Sequence, residues 1–439
     1  MLTHHWIPRR CRILFGSSLF ALAAASLASA ATLCVQPQGH LGCQKTIGAA
    51  VAAAAPGDVI YVWPGVYKEQ VTITRSVSLV AVPGTHAVID ATGLSNGIFI
   101  NGMSAAPNAG VWNVVVSGFD VRNAKFEGIL VANAGNVTLA GNHVYDNDQS
   151  LDISAGACPD QPAFETSEGD DCGEGIHLMA ADHATLRNNE IDHNSGGILT
   201  SDETGPSQNN LLTGNFVHDN PYDCGITLAS HAPATSLLPA AQGSWGVWNN
   251  TIAHNRSWHN GTELPGAGAG VGIFAAGPAM INTGNVVIGN DLRNNGMPGF
   301  AMHNHAAPPG TPNANLNNNE VVDNYFSGNA ADTADTATPG PTAINIASQV
   351  PITGTVVSNN DIDNEAVAIA FKAPSGQLNV HFNNLPRSIG IDNLGTGTVD
   401  ATENWWNCAT GPGSGHCASV SGTGVNAAPW LFTFADITY

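Results

Sequence analysis

Residues 175–201 read GIHLMAADHATLRNNEIDHNSGGILTS, and this stretch contains both halves of a unit that recurs along the chain. One half is a small residue followed by alternating apolar positions. It recurs as GIFI at 97, GILV at 128, GIHL at 175, GILT at 197, GITL at 225, GIFA at 272, GFAM at 299, AINI at 343 and AIAF at 368. The other half is an asparagine frame, N-x-φ-x-x-N with φ apolar, which starts at Asn142, Asn189, Asn215, Asn250, Asn290 and Asn324. Units repeated every 20 to 50 residues or so are typical of a solenoid.

Stacking the apolar halves in register predicts the core of this solenoid. The stack places one side chain of each coil in a single column: Ile98, Ile129, Ile176, Ile198, Ile226, Ile273, Phe300, Ile344 and Ile369. Strands of neighbouring coils lie about 4.8 Å apart, so their apolar faces join into one interior. Asparagine suits the turns because it tolerates left-handed backbone and its amide can bond the asparagine of the next coil. We therefore expect the repeated asparagines to be structural.

The composition favours strands and turns over helices. Charged residues make up 11% of the 439 residues, glycine occurs 49 times, and only Lys45–Ala54 looks helical. The sequence predicts an all-β solenoid with a short N-terminal capping helix, in which residues 31–57 form the cap, 58–407 the solenoid and 408–439 a C-terminal cap or tail. Lysine and arginine are scattered, so we expect no nucleic-acid partner. We expect a monomer.

The first 30 residues have the pattern of an export signal. Arg9, Arg10 and Arg12 precede an apolar run from Ile13 to Leu27, and residues 28–30 offer a small-residue cleavage site. Because these three arginines would leave with the signal, the net charge of −21 would become −24. No later segment approaches the roughly 18 apolar residues that a membrane helix needs. We therefore expect a secreted or periplasmic protein whose mature part has no membrane span.

Six cysteines form three pairs that are close in sequence. These are Cys34 with Cys43, Cys158 with Cys172, and Cys408 with Cys417. Short spacings of this kind favour local disulfides in an oxidising compartment. Cys224 has no such neighbour, and we expect it to be a buried apolar residue rather than a reactive thiol.

The repeats resemble those of right-handed parallel β-helix proteins, the broad group that contains pectate-lyase-like enzymes and NosD-like periplasmic proteins. The resemblance covers about residues 45–407, and the block GDVIYVWPGVYKEQVTIT at 57 resembles the first coil of such proteins. It implies a right-handed parallel β-helix. The repeat indicates the fold and leaves the function open.

Strand alternation predicts which side chains leave the core. In the G-I-x-φ register, the residues two, four and six after the glycine point outward. Most coils carry unremarkable residues there, but four coils present Ser201, Thr227 and a set of candidate catalytic residues that comprises His177, Glu203, His231, His303 and His305. Neighbouring coils would bring His177, Glu203 and His231 into a patch about 10 Å across. Phe274 and Ala276 would form the apolar floor between this patch and the His303/His305 pair.

Three kinds of chemistry fit these residues. A neutral imidazole can take a sugar C5 proton for β-elimination, or Asp202 and Glu203 can serve as acid and base for hydrolysis. His303 with His305, and Glu203 with His231, can ligate a metal such as Zn²⁺ or Cu²⁺. The aspartates at 160, 170, 171, 332 and 335 lie in acidic loops that can hold Ca²⁺, although solvated loops also explain them.

Long connections surround the same coils and favour a binding surface there. They span residues 150–173, 232–246, 262–270, 306–315 and 330–341, and long loops on a rigid solenoid often line such a surface. We therefore expect a polysaccharide or oligosaccharide substrate, cleaved by a lyase or a hydrolase. A NosD-like metal-binding accessory protein and a non-catalytic glycan-binding protein stay as alternatives. Pectate lyases of this fold use a basic residue near Ca²⁺, and these outward positions contain none, so the resemblance does not transfer that mechanism.

Overall fold

The computed structural model describes residues 30–162, 164, 172–231, 245–275, 277–304, 313–333, 338–413 and 416–437. The predicted export signal lies outside these residues, apart from Ala30. Two helical segments occur in them, a 3₁₀ turn at His40–Gly42 and the helix α1 at Ile47–Ala53, so the predicted N-terminal helix is confirmed. No helix among the described residues has the length and apolar character needed to cross a membrane.

The remaining regular structure consists of short strands. From the N-terminus to the first long connection they are β1 Thr32–Val35, β2 Val59–Val62, β3 Gly65–Tyr67, β4 Val71–Ile73, β5 Ser78–Ala81, β6 Ala87–Asp90, β7 Ile98–Asn101, β8 Val111–Ser117, β9 Phe119–Arg122, β10 Ile129–Ala140 and β11 His143–Tyr145. The central strands are β12 Glu174–Asp182, β13 Thr185–Arg187, β14 Glu190–Asp192, β15 Gly196–Ser201, β16 Ser207–Gln208, β17 Leu211–Thr213, β18 Phe216–His218, β19 Ile226–Ser230, β20 Val247–Trp248, β21 Thr251–Ala253, β22 Arg256–Trp258, β23 Val271–Ala275, β24 Asn282–Thr283, β25 Val286–Ile288, β26 Asp291–Arg293 and β27 Phe300–Asn304. The last strands are β28 Glu320–Val322, β29 Tyr325–Ser327, β30 Thr342–Ala347, β31 Val356–Ser358, β32 Asp361–Asp363, β33 Val367–Lys372, β34 Gln377–His381, β35 Ile389–Asn393, β36 Thr398–Asp400, β37 Ser419–Gly422 and β38 Val425–Asn426.

These strands stack in parallel into columns that run along the molecule. One column, which we call the front column, contains β4, β7, β10, β12, β15, β19, β23, β27, β30, β33, β35 and β37. A second column runs from β1 to β38 within the same 28-stranded sheet, and a separate 10-stranded sheet forms a third. The predicted all-β solenoid is confirmed. Stacking continues past residue 407, because β37 pairs with β35 and β38 pairs with β36.

One continuous apolar interior lies between the columns. Ile98, Ile129, Ile176, Ile198 and Ile226 follow one another in register on successive coils and are fully buried. The next position differs from the prediction, because Val271 rather than Ile273 pairs with Ile226, and Ile273 pairs with Leu228. Gly270 and Gly272 in the stretch GVGIF both fit the start of the apolar motif. In the structure, Gly270 takes that position. The shift is two residues, so the same side chains still face outward.

The asparagine frame forms hydrogen-bonded ladders between coils. Asn189 Nδ2 donates to Asn215 Oδ1 at 2.9 Å, and Asn215 Nδ2 donates to Asn255 Oδ1 at 2.9 Å. The left-handed backbone falls one residue earlier, as at Asn188 with φ 53° and His254 with φ 55°. Tolerance of left-handed backbone and side-chain laddering, the two reasons for asparagine in these turns, therefore apply to adjacent positions. Several histidines also occupy the left-handed position.

All three predicted disulfides are present, and two of them lie at the ends of the solenoid. Cys34 bonds Cys43 near the N-terminus, Cys408 bonds Cys417 near the C-terminus, and Cys158 bonds Cys172 in the first long connection. Helix α1 closes the N-terminal end with Ile47, Ala50 and Val51 in the core, and Glu69 accepts hydrogen bonds from its first backbone N–H groups. Cys224 is free and buried, as predicted, and burial raises the pKa of its thiol.

Candidate functional site

The outer side of the front column carries a continuous set of polar side chains across three coils. In β12, Ile176 and Leu178 point into the core, so His177 between them lies on the outer side. His177 Nε2 lies 2.7 Å from Ser201 Oγ at the end of β15, and Ser201 Oγ donates to Glu203 Oε2. Glu203 Oε1 lies 3.1 Å from Nδ1 of His231, which follows β19. We call these four side chains the outer-face relay.

The hydrogen bonds of the relay define where its protons reside. Burial raises the pKa of Glu203, but the hydrogen bond and charge of His231, the charge of His177 and the Ser201 hydroxyl together lower it to about 2. Glu203 is therefore ionised and only accepts hydrogen bonds. It follows that His231 carries a proton on Nδ1 and that Ser201 donates to Glu203. Ser201 then accepts a hydrogen bond from His177 Nε2–H.

Asp202 lies beside the relay, but its carboxylate accepts hydrogen bonds from the next coil. Its Oδ1 accepts a hydrogen bond from the His231 backbone N–H at 2.7 Å, and its Oδ2 accepts bonds from Ser230 Oγ at 3.1 Å and from the Gly246 backbone N–H. Burial raises the pKa of Asp202 to about 6, although these backbone hydrogen bonds act in the opposite direction. The residue follows the last residue of β15, where the strand ends. Its carboxylate therefore stabilises the backbone of the next coil and is not part of the relay.

The structure also places two carboxylates against His177 that the sequence analysis missed. His177 Nδ1 lies 3.3 Å from Glu127 Oε1 and 3.9 Å from Glu174 Oε2. Both carboxylates come directly before the glycine of the apolar motif, as Glu127-Gly128-Ile129 and Glu174-Gly175-Ile176, on adjacent coils. A glutamate repeated at this position was the signal that could have found them.

His303 belongs to a separate cluster two coils further along. It pairs in register with Phe274, which in turn pairs with Ala229 of β19. His303 Nε2 lies 3.4 Å from Asp332 Oδ2 and 3.3 Å from Asn345 Nδ2. Among the described residues, no group of three ligand atoms joins His303 to Glu203 or His231. His305 and Ala276 lie outside the described residues.

The candidate side chains face away from the core, yet they are buried rather than open as the sequence suggested. His177 is 3% exposed, Glu203 1% and His231 6%. Described residues of the long connections fold onto this face: the ring of Phe164 stacks on Phe99 with centroids 6.4 Å apart, and Asp332 reaches His303. Asp332 is buried against His303, so the expectation that it lies in a solvated acidic loop is wrong. Asp160 remains on the surface and pairs with Lys125, and the other three loop aspartates lie outside the described residues.

A second polar group lies on the 10-stranded sheet. His143 Nε2 is 2.6 Å from Asp192 Oδ1, and Glu190 completes a group of three ligand atoms. The hydrogen bond that His143 donates to Asp192 raises the pKa of His143 against the opposing effect of burial. His143 is half-buried and Glu190 is exposed. This group lies on a different face from the relay.

Comparisons with known proteins agree with this architecture. Residues 94–237 match the family model of the right handed beta helix region. No curated protein matches the chain. Its structure is similar to that of a pectate lyase, with 13% identity over 94% of this chain and 82% of that one and a TM-score of 0.43.

Two further solved structures are similar in the same way. The catalytic unit of a thermostable α-1,3-glucanase from Streptomyces thermodiastaticus has 14% identity over 88% of this chain and 66% of that one, with a TM-score of 0.49. A mannuronan C-5 epimerase module from Azotobacter vinelandii has 14% identity over 75% of this chain and 94% of that one, with a TM-score of 0.42. At these identities the likeness concerns the fold alone. The stacked parallel coils and the family match over residues 94–237 show that the chain has a right-handed parallel β-helix fold.

Proposed function

We propose that the chain is a polysaccharide-cleaving enzyme in which His231 of the outer-face relay is the catalytic base. The observation that carries this proposal is the Glu203–His231 pair, with Oε1 and Nδ1 3.1 Å apart. An ionised carboxylate that holds the Nδ1–H of an imidazole fixes the tautomer and leaves Nε2 as the basic nitrogen. The same pairing of a carboxylate with a histidine base occurs in many unrelated enzymes.

The contacts of the two acidic residues favour elimination over hydrolysis. Hydrolysis by a carboxylate pair needs one protonated acid and one base or nucleophile that both face the sugar. Both oxygens of Asp202 accept hydrogen bonds from the next coil, and both oxygens of Glu203 are bonded to the relay. Neither carboxylate therefore has the position that hydrolysis requires.

Elimination needs a base and a substrate with an acidic C–H group. In a uronic-acid polymer the carboxylate makes the C5 proton acidic. His231 Nε2 takes this proton, the C–H electron pair forms a C4=C5 double bond, and the C4–O bond breaks. The leaving oxygen takes a proton from water. The products are a shortened chain and an unsaturated sugar at a new non-reducing end.

The shape of the molecule suits a chain-like substrate. Successive front-column strands stack in register, so their outward side chains form rows along the molecule, and the relay crosses three coils. His231 is 6% exposed, so we expect polymer access to its Nε2 to require a local rearrangement of the outer face.

The test is cleavage of a panel of uronic-acid polysaccharides, followed by ultraviolet absorbance of unsaturated ends. We expect Glu203→Gln and His231→Gln to lower kcat by about 10² to 10⁴-fold, the range typical of a lost general base. His303→Ala, two coils away, should change kcat by less than about tenfold. His86→Ala is the control, because the side chain of His86 is exposed and its ring lies 3.3 Å from Asp120, apart from the relay.

Three results would reject the proposal. One is a complete lack of cleavage across the panel. Another is the appearance of new reducing ends without ultraviolet absorbance, which indicates hydrolysis. The third is full activity in both relay variants. Thermal unfolding of each variant shows whether a loss of activity reflects the relay or the fold.

A further inference from the structure

We infer that Glu127, Glu174 and His177 bind a divalent transition-metal ion next to the outer-face relay. Each residue offers one ligand atom, and these atoms lie within 4.8 Å of one another. All three side chains are buried, with Glu127 1% exposed, Glu174 3% and His177 3%. The role of the ion in ordering the relay rests on the proposed function, whereas its binding does not.

Electrostatics argue that the two carboxylates need a cation. They occupy equivalent places on adjacent coils, because Ile129 and Ile176 pair in register two residues after them. Two carboxylates buried side by side repel each other, and taking them out of water is costly unless a cation or a set of hydrogen bonds compensates. Among the described residues, no lysine or arginine forms a salt bridge with Glu127, whose ionic partner is His177.

An unsatisfied oxygen provides independent support. Glu127 Oε1 contacts His177 Nδ1, but Glu127 Oε2 is buried and has no hydrogen-bond partner among the described residues. A buried acceptor without a donor is rare in folded proteins and calls for an explanation such as an ion. A cation between Oε2, Glu174 and Nδ1 supplies the missing partner.

The hydrogen bonds of the relay are also those of a metal-bound histidine. A metal on Nδ1 requires that the imidazole keep its proton on Nε2. The Nε2–H group then usually donates a hydrogen bond to a second partner. Ser201 Oγ is that partner at 2.7 Å, and it donates in turn to Glu203. The metal would therefore hold His177 in the orientation that the relay needs.

The donor set identifies the class of ion. Two carboxylate oxygens and one imidazole nitrogen suit Zn²⁺ or Mn²⁺. Ca²⁺ takes six to eight oxygen ligands and rarely uses imidazole, so it fits less well. Zn²⁺ is the probe for the test.

The experiment measures binding directly on the untagged full chain after dialysis against EDTA. Calorimetric titration with Zn²⁺ should show one tight site, and the protein-bound zinc should reach one equivalent by elemental analysis. Glu127→Gln keeps the shape of the side chain and should weaken this site about tenfold or more. Glu190→Gln, in the half-exposed group on the other sheet, is the matched control and should leave it unchanged.

The outcomes separate the two proposals. The metal site is rejected if the chain binds no zinc, or if Glu190→Gln removes the zinc and Glu127→Gln does not. Cleavage at the full rate by metal-free protein rejects the ordering role and leaves the catalytic proposal intact. One bound zinc that depends on Glu127, in a chain that cleaves no polymer, supports the site and rejects the catalytic proposal.

Discussion

Buried carboxylates in this protein differ in charge because their partners differ. Glu203 receives two side-chain hydrogen bonds and lies near two imidazoles, so its pKa falls to about 2 despite full burial. Burial dominates at Asp202, whose pKa is about 6. At Glu365, burial outweighs the hydrogen bonds from Asn329 and raises the pKa to about 7. The identity of the residue alone therefore does not determine its charge at neutral pH.

Glu365 offers a test of this principle by pH. Glu365 occupies the last position of an asparagine ladder, where the other coils carry an asparagine amide. Its Oε1 accepts two hydrogen bonds from Asn329, and its Oε2 has no partner among the described residues. Because the folded pKa of about 7 exceeds the ordinary 4.5, its protonation favours folding below pH 4.5 and this contribution is lost as the pH rises through 7.

We expect Glu365→Gln to stabilise the chain at pH 8, by up to about 3 kcal/mol, because glutamine keeps the acceptor without the charge. Urea unfolding of the wild type and variant at pH 5 and pH 8 measures the difference. The gain should be small at pH 5. An equal effect at both pH values would contradict a buried, titrating Glu365.

At the scale of the structural element, the asparagine ladders connect one turn to the next. An asparagine in the middle of a ladder accepts hydrogen bonds from the backbone N–H and the side-chain amide of the preceding coil's asparagine, and donates one to the side-chain amide of the following coil. Asn255, for example, accepts from the N and Nδ2 of Asn215, and its own Nδ2 donates to Asn290 and to the Leu212 carbonyl. The ladder thus satisfies buried polar groups that a turn would otherwise leave unpaired.

Asn255→Ala tests this arrangement. The change leaves buried donors on Asn215 without an acceptor, and each unsatisfied group costs about 1–3 kcal/mol. We expect the free energy of unfolding to fall by about 3–5 kcal/mol in urea titration. Asn379→Ala is the control, because this half-exposed strand residue hydrogen-bonds only Gln377 through its side chain in the described structure. Equal losses in the two variants would contradict a special role for the ladder.

At the scale of the whole molecule, the chain is a one-dimensional stack in which each coil contacts its neighbours. The terminal coils have a neighbour on one side only, and both ends carry a disulfide that closes a short loop. In such repeat structures the ends open more readily than the middle. The caps therefore protect the edges of the sheet from unpaired exposure.

Removal of the Cys34–Cys43 disulfide should act locally. The closed loop is 9 residues long, so we expect the cap to lose about 2–3 kcal/mol of stability in the chain-entropy account. Hydrogen exchange in the double alanine variant should speed up at residues 32–62 and stay unchanged at 356–400. The Cys408–Cys417 double variant should show the reverse. Uniform acceleration along the chain would show that the caps are coupled through the whole stack.

Part of this architecture follows from the sequence alone. The paired G-I and asparagine motifs predict the coils, the inward column from Ile98 to Ile226 and the local disulfides, because these features repeat within short stretches of chain. They also place His177, Glu203 and His231 on one outer face, since strand alternation is local. The two glycines before Val271 and Ile273 left the register ambiguous, because both fit the motif equally well.

Contacts across coils were decided only by the tertiary structure. Glu127 meets His177 across 50 residues of chain, and His303 pairs with Asp332 rather than with the relay. The burial of the outer face likewise depends on how long connections fold back, as Phe164 does onto Phe99. Nothing in a local repeat encodes these contacts, because connections of irregular length and composition are positioned by packing against the finished solenoid. The sequence by itself therefore determined the scaffold and one face of it, and tertiary packing decided which groups on that face work together.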